Sequence, residues 1–158
     1  DSNDGDFAME DVNLYDIAEN CVNMLTLHAE ENDVKLHLKG SGTHVKGSHS
    51  MIEELVYNLC DNAIRYNREG GNVWVVVDPE DHSVLVSDDG IGISEENQPR
   101  IFERFYRVDK SRSRKTGSTG LGLAIVKHIA EQHGAKIELT SAENVGTTIK
   151  VIFPDPDK

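Results

Sequence analysis

Long apolar runs are missing from this sequence. None approaches the roughly 18 residues that a membrane span requires, and no signal peptide is visible at the start. The expectation is a soluble, cytoplasmic piece. The opening Asp1-Ser2-Asn3-Asp4-Gly5 has no initiator Met and reads as the start of a processed or excised fragment, which leaves the membrane topology of a parent protein open. Cysteine is scarce as well. Cys21 and Cys60 sit inside apolar helical patterns with no ligand spacing around them, so they read as small buried hydrophobes, against a zinc site or a disulfide framework. Positive charge is also lacking: 16 Lys and Arg against 28 Asp and Glu give a net charge of −12. A nucleic-acid surface draws on clustered cations and is argued against. The one basic cluster, Arg104 to Lys115, is therefore read locally, as a segment able to meet an anionic ligand.

What is present suits one domain over residues 1–158, with 37% hydrophobic residues to fill a core. Phe7 to Met9 is compatible with a short edge strand, and residues 1–6 with a disordered start. From Asn13 to about Glu31, Leu14, Ile17, Ala18, Cys21, Leu25 and Ala29 recur at helical spacing. Val34, Leu36 and Leu38 alternate with Lys35, His37 and Lys39 as in a half-buried strand that ends at Gly40-Ser41-Gly42. A second helix is expected from Ser48 or Ser50 to about Asn67, stopped by Gly70-Gly71. Two Val-rich runs, 72–78 and 83–88, read as a hairpin.

Between Gly90 and Gly120 the periodicity fails, apart from a short helical stretch near 101–106. Interruptions of that length in a compact domain are usually functional, and residues 93–119 are read as a lid. Helix returns over 121–133, stopped by Gly134, and two strands follow at 136–140 and 147–153. The fold class is α+β: a two-layer sandwich of about five mostly antiparallel strands, covered on one face by three helices.

Chemistry concentrates at three places. In the second helix, Glu54, Asn58 and Asn62 recur every four residues and share a face, while Ile52, Leu55, Val56, Leu59 and Ala63 form the core stripe. Asn is a poor helix former, so the face is either merely solvated or carries amide oxygens as hard ligands for Mg²⁺. One turn on, Arg65 could meet phosphate and Tyr66 could cover a base. Asp88-Asp89-Gly90-Ile91-Gly92-Ile93 stands where a strand ends. It is either a plain Asp-Gly turn or a carboxylate placed to accept from the exocyclic amine of a base. Gly117-Ser118-Thr119-Gly120-Leu121-Gly122-Leu123 runs into a helix N-terminus, where unpaired N–H groups and the helix dipole favour phosphate. It is neither a Walker A loop nor a dinucleotide fingerprint. Between these, Phe102 and Phe105 can anchor a lid or simply pack in the core. Arg104, Arg107 and Lys110 either carry charge to a bound triphosphate or lie in a solvated run.

Together these segments resemble, in order, the N box (Glu54 to Asn67), G1 box (Asp88 to Ile93), F box (Phe102 to Ser113) and G2 box (Gly117 to Leu123) of sensor histidine kinases, the PhoR-like and WalK-like kinases being nearest. The resemblance spans about half the chain. It implies a Bergerat-type ATP fold in which Asn58 and Asn62 serve Mg²⁺ and phosphate, and Asp88 recognises the adenine amine. Arg65 and Tyr66 would give a phosphate contact and an adenine wall, while Gly90, Gly92, Gly117, Gly120 and Gly122 cradle the nucleotide beside Leu121. Ile91, Ile93, Lys110, Ser118, Thr119 and Leu123 complete the expected ATP contacts, and Arg104 or Arg107 would steady the transferring charge. Asp89 stands where Asn is usual and is expected to add negative charge near the nucleotide; Ser118 stands where a second Gly is frequent.

A His-Glu/Asp-x-x-x-Pro phosphoacceptor helix is absent from the sequence. His28-Ala29-Glu30 lacks the proline, and His44, His49, His128 and His133 are unaccompanied. The resemblance thus implies a kinase catalytic domain that binds ATP and Mg²⁺ as a monomer. Its acceptor histidine, on a dimerisation domain of a homodimeric membrane sensor, would pass the phosphoryl group on to a response regulator. The rival is an ATPase of the wider fold group, with Glu54 as general base.

Overall fold

A computed structural model describes residues 8–103 and 122–157. A short strand β1 (Glu10–Asn13) leads into helix α1 (Leu14–Glu31), then strands β2 (Val34–Gly40) and β3 (His44–Gly47) precede helix α2 (His49–Arg65). Strands β4 (Gly71–Asp78) and β5 (Ser83–Asp88), a 3-10 turn at Gln98–Arg100, helix α3 (Gly122–Gln132) and strands β6 (Lys136–Ala142) and β7 (Gly146–Ile152) complete it. Asn13 caps α1, its side chain accepting from the N–H groups of Tyr15 and Asp16 at 3.0 and 3.3 Å. Ser48 caps α2 in the same way through the N–H of Met51, at 3.3 Å.

Five strands form one sheet in the order β2-β4-β5-β7-β6, antiparallel except for the β2–β4 pair. Its helix-covered face is built by alternation: Val73, Val75, Val77, Val84, Val86, Ile149 and Val151 are buried. Against them lie the stripes of α1 and of α2, with α2 packed between α1 and α3. Cys21 and Cys60 belong to this core as free thiols, and burial pushes the Cys21 thiol up to about 12 and raises Cys60 too. No helix among the described residues is long and apolar enough to cross a membrane.

One expectation shifts. The edge strand lies at 10–13, not at 7–9, and its partner β3 is unanticipated; together they form a separate two-stranded sheet in which Val12 faces Val45. Four residues with one buried pair carry too little alternation to be read from sequence, and the tertiary burial of that pair holds them extended.

His133 fastens the end of α3 to the start of α2. Its Nδ1 lies 2.8 Å from the carbonyl of Ile129 and its Nε2 accepts the Ser48 N–H at 3.1 Å, with the ring edge-on to Phe153. A ring holding one acceptor and one donor is neutral, with the proton on Nδ1. Burial lowers its pKa below the ordinary 6.5, opposed by the bond to Ile129. The unfolded chain therefore takes up the proton first, so this contribution is complete above pH 6.5 and is lost as pH falls from 6.5 towards the folded value. The stability difference between wild type and His133→Gln should narrow between pH 7.5 and pH 5 in urea titrations; a constant difference would refute a neutral buried imidazole.

Candidate functional site

Where β5 ends, its register places Asp88 opposite Val73 and Thr147, on the helix-covered face of the sheet. Above it lies a pocket that opens at its mouth to solvent. The α2 helix contributes Leu59, Asn62, Ala63 and Tyr66, the sheet Val86, Asp88, Thr147 and Ile149, and the segment after β5 Ile91, Gly92, Ile93 and Ile101; Leu123 closes the α3 side. Mostly apolar walls with a few convergent polar groups suit a flat organic ring with polar edges.

Asp88 is the carboxylate on that floor. Burial drives its pKa up to about 6, against N–H donors from Gly90 (2.9 Å to Oδ1) and Thr147; Asp89 pushes it further up, and Arg68 pulls it down. The carboxylate is thus partly desolvated, and a lone pair not used by those two donors can accept from an incoming amine N–H.

Asp89 departs from expectation. Its carboxylate turns to β4, accepting from the N–H of Asn72 at 2.6 Å and from its side-chain amide at 3.0 Å, and it does not line the cavity. Those bonds help hold its pKa low against desolvation. Asp89 stands just past the end of β5, where its N–H donates to the Asn72 carbonyl at 3.3 Å and its carboxylate meets Asn72 in turn, while Asp88 faces the cavity.

On α2, the amide nitrogens of Asn58 and Asn62 donate to the carbonyls of Glu54 and Asn58, at 2.7 and 2.9 Å. A helix carbonyl can only accept, so the NH₂ must face it and the two amide oxygens are turned outward. Asn62 lines the cavity; Asn58 and the exposed Glu54 lie one and two turns earlier, beyond its walls. Tyr66 lines it at the helix end, where its carbonyl accepts from Ile91 N–H at 3.2 Å. Arg65 is not part of the wall. Its Nε binds Asp61 at 2.9 Å, and Asp61 also meets His28 at 3.2 Å.

The structure thus brings Asn62, Tyr66, Asp88, Ile91, Gly92, Ile93 and Leu123 around one cavity, while Glu54, Asn58, Arg65 and Gly90 do not border it. Arg104, Arg107, Lys110, Gly117, Ser118, Thr119, Gly120 and Leu121 lie outside the described residues, as do most of the expected lid and residues 1–6; Gly122 opens α3. For Gly90 and Gly92 the close approach is to protein. A Cβ on Gly90 would lie 2.5 Å from the Tyr66 carbonyl, and one on Gly92, at φ +71°, 2.0 Å from that of Ala142.

Sequence reasoning missed the brace behind this loop. Asn67, 1% exposed, donates to the Asn72 carbonyl at 2.9 Å and accepts from Arg68 N–H at 2.8 Å. Ser141 accepts from Ile93 N–H at 2.8 Å, and Gln98 donates to the carbonyls of Ile93 and Ser141 at 2.9 and 3.1 Å. Only Gly146, in the Asn144-Val145-Gly146 turn, had a readable signal, that of a hairpin.

These residues frame one pocket between α2 and the sheet of a two-layer α+β domain. Residues 47–157 match the family of histidine kinase-, DNA gyrase B- and HSP90-like ATPases, and the chain belongs to it. It is similar to the sensor-like histidine kinase SenX3 of Mycolicibacterium smegmatis, 43% identical over 74% of this chain and 32% of that protein. The sensor histidine kinase WalK of Bacillus subtilis is 42% identical over 70% of this chain and 19% of its own length. The chain thus spans about a third or less of these relatives. Among solved structures, the mycobacterial sensor histidine kinase MprB superposes with a TM-score of 0.80 at 26% identity, covering 93% of this chain and 97% of that one. The catalytic domain of histidine kinase ThkA gives 0.78 at 24% identity over 94% and 96%, a likeness of fold.

Proposed function

We propose that this chain is a kinase catalytic domain over residues 1–158 that binds ATP with Mg²⁺. It would donate the γ-phosphoryl group to a histidine on a separate dimerisation and phosphoacceptor domain, within a two-component pathway that continues to a response regulator. The parent would be a homodimeric membrane sensor. The observation that carries the reading is the Asp88 carboxylate, half-buried on the floor of a mostly apolar cavity, where burial outweighs its two backbone donors and raises its pKa. In this reading Asp88 accepts from the exocyclic amine of adenine while Tyr66, Ile91, Ile93 and Ile101 keep water from the ring. The outward amide oxygens of Asn58 and Asn62 are neutral hard donors that fit Mg²⁺, a cation held by few protein groups together with phosphates. Bound there, Mg²⁺ would neutralise phosphate charge. Residues 93–119 would be the lid, bringing Arg104, Arg107 and Lys110 and the glycine segment 117–123 to the triphosphate. Transfer breaks the bond between the γ-phosphorus and the bridging oxygen and forms one to an imidazole nitrogen, with ADP leaving; the protein's share is positioning and charge.

Mixing the chain with its parent's phosphoacceptor domain and labelled ATP should yield acid-labile phosphohistidine. Asn62→Asp should lower Mg-ATP affinity by roughly ten- to a hundredfold, since losing one partner of a site's polar group costs about 1–3 kcal/mol. Steady phosphate release without an acceptor, abolished by Glu54→Gln, would support hydrolysis instead. No binding at millimolar Mg-ATP would sink both readings.

A further inference from the structure

We propose that Arg68 is the positioning residue of adenine recognition, tying the loop after β5 to the β6–β7 turn. The role rests on the adenine reading above and deepens it. Arg68 Nη2 donates to the carbonyl of Gly90 at 2.7 Å and to that of Asn144 at 3.1 Å, bridging two segments 54 residues apart in sequence (144 − 90). Those segments meet again where Asn144 N–H donates to Ile91 at 2.7 Å, and Ile91 N–H in turn to Tyr66. One guanidinium therefore holds the backbone that leads from Asp88 into the cavity wall.

Electrostatics give the same residue a second effect. Around Asp88, α2 brings Asn62 and Tyr66, β7 brings Thr147 and α3 brings Leu123. Among the described residues, the charged groups acting on Asp88 are Asp89, which raises its pKa, and Arg68, which lowers it. Arg68 also lowers that of Asp89. Arg68 is exposed and forms no ion pair with either carboxylate among the described residues, so removing its charge should make Asp88 slightly harder to ionise.

The test uses the full chain. Carboxyl NMR follows the Asp88 titration without nucleotide, and calorimetry at pH 7.5 reads adenosine and ATP affinity in wild type, Arg68→Gln and Arg68→Lys. Arg68→Gln, uncharged and too short to bridge the Gly90 and Asn144 carbonyls, should move the Asp88 midpoint upward and, through the lost bridge, weaken adenosine and ATP by the same factor, on the order of three- to tenfold. Arg68→Lys, which keeps the charge, should leave the midpoint in place. An unmoved midpoint in Arg68→Gln, or a loss confined to ATP, would overturn the role while leaving the functional reading intact. A wild type that binds neither adenosine nor ATP would overturn the functional reading and this role with it.

Discussion

Asp88→Asn is expected to make the nucleotide-free chain more stable while removing most of its affinity for adenine nucleotides. The Asp88 pKa stands at about 6 in the folded chain against an ordinary 3.8, chiefly through burial. Between those values the folded state holds a proton that the unfolded state has released. Stability from this group is therefore present below pH 3.8, is lost as pH rises through the window, and stays lost above about 6. A shift of roughly two units corresponds to about 3 kcal/mol, an upper bound on the gain from a neutral isostere that still accepts from Gly90 N–H. A gain of about 1–3 kcal/mol is expected in urea denaturation at pH 7.5, shrinking towards pH 4. ATP affinity should fall by roughly ten- to a hundredfold, because an amide offers a weaker acceptor than a carboxylate. Wild-type affinity in this variant would remove the adenine assignment, and unchanged stability would mean that the carboxylate is not strained by burial. In wild type, ATP affinity should decline below pH 6 as Asp88 takes up its proton.

Gly146→Ala should have a large structural effect at the site. Gly146 has φ +147°, and a Cβ there would lie 2.0 Å from the carbonyl oxygen of Asp88. The methyl group would have to push β7 away from β5 at the residue that carries the candidate recognition carboxylate. Backbone strain of about 1–2 kcal/mol adds to overpacking of about 1–3 kcal/mol. Gly70→Ala is the control: its φ is also positive, at +81°, but a Cβ meets nothing within 4 Å. Thermal denaturation should show a loss of several kcal/mol for Gly146→Ala against about 1 kcal/mol for Gly70→Ala, with ATP affinity reduced only in the former. Equal losses would mean that the contact with Asp88 is relieved at no cost.

Much of this was legible in the chain itself. The stripes Leu14 to Ala29 and Ile52 to Ala63 carry a period near 3.6 and became α1 and α2, capped at Asn13 and Ser48. The Val-rich runs became β4 and β5 in antiparallel register. Periodicity could not reveal that β2 pairs in parallel with β4, because one strand's alternation says nothing of its neighbour's direction.

Helix period, strand alternation and an Asp-Gly turn are local properties of the chain, so the elements and the candidate nucleotide residues could be read before any fold was known. Where each side chain points is a property of the packed whole. Asp88 faces the cavity while Asp89, its neighbour, turns to Asn72; Arg65 is held by Asp61 while Arg68, which carried no signal, reaches Gly90 and Asn144. These outcomes depend on which face of the sheet the helices cover and on where a distant hairpin returns, and both are settled by the burial of the whole core.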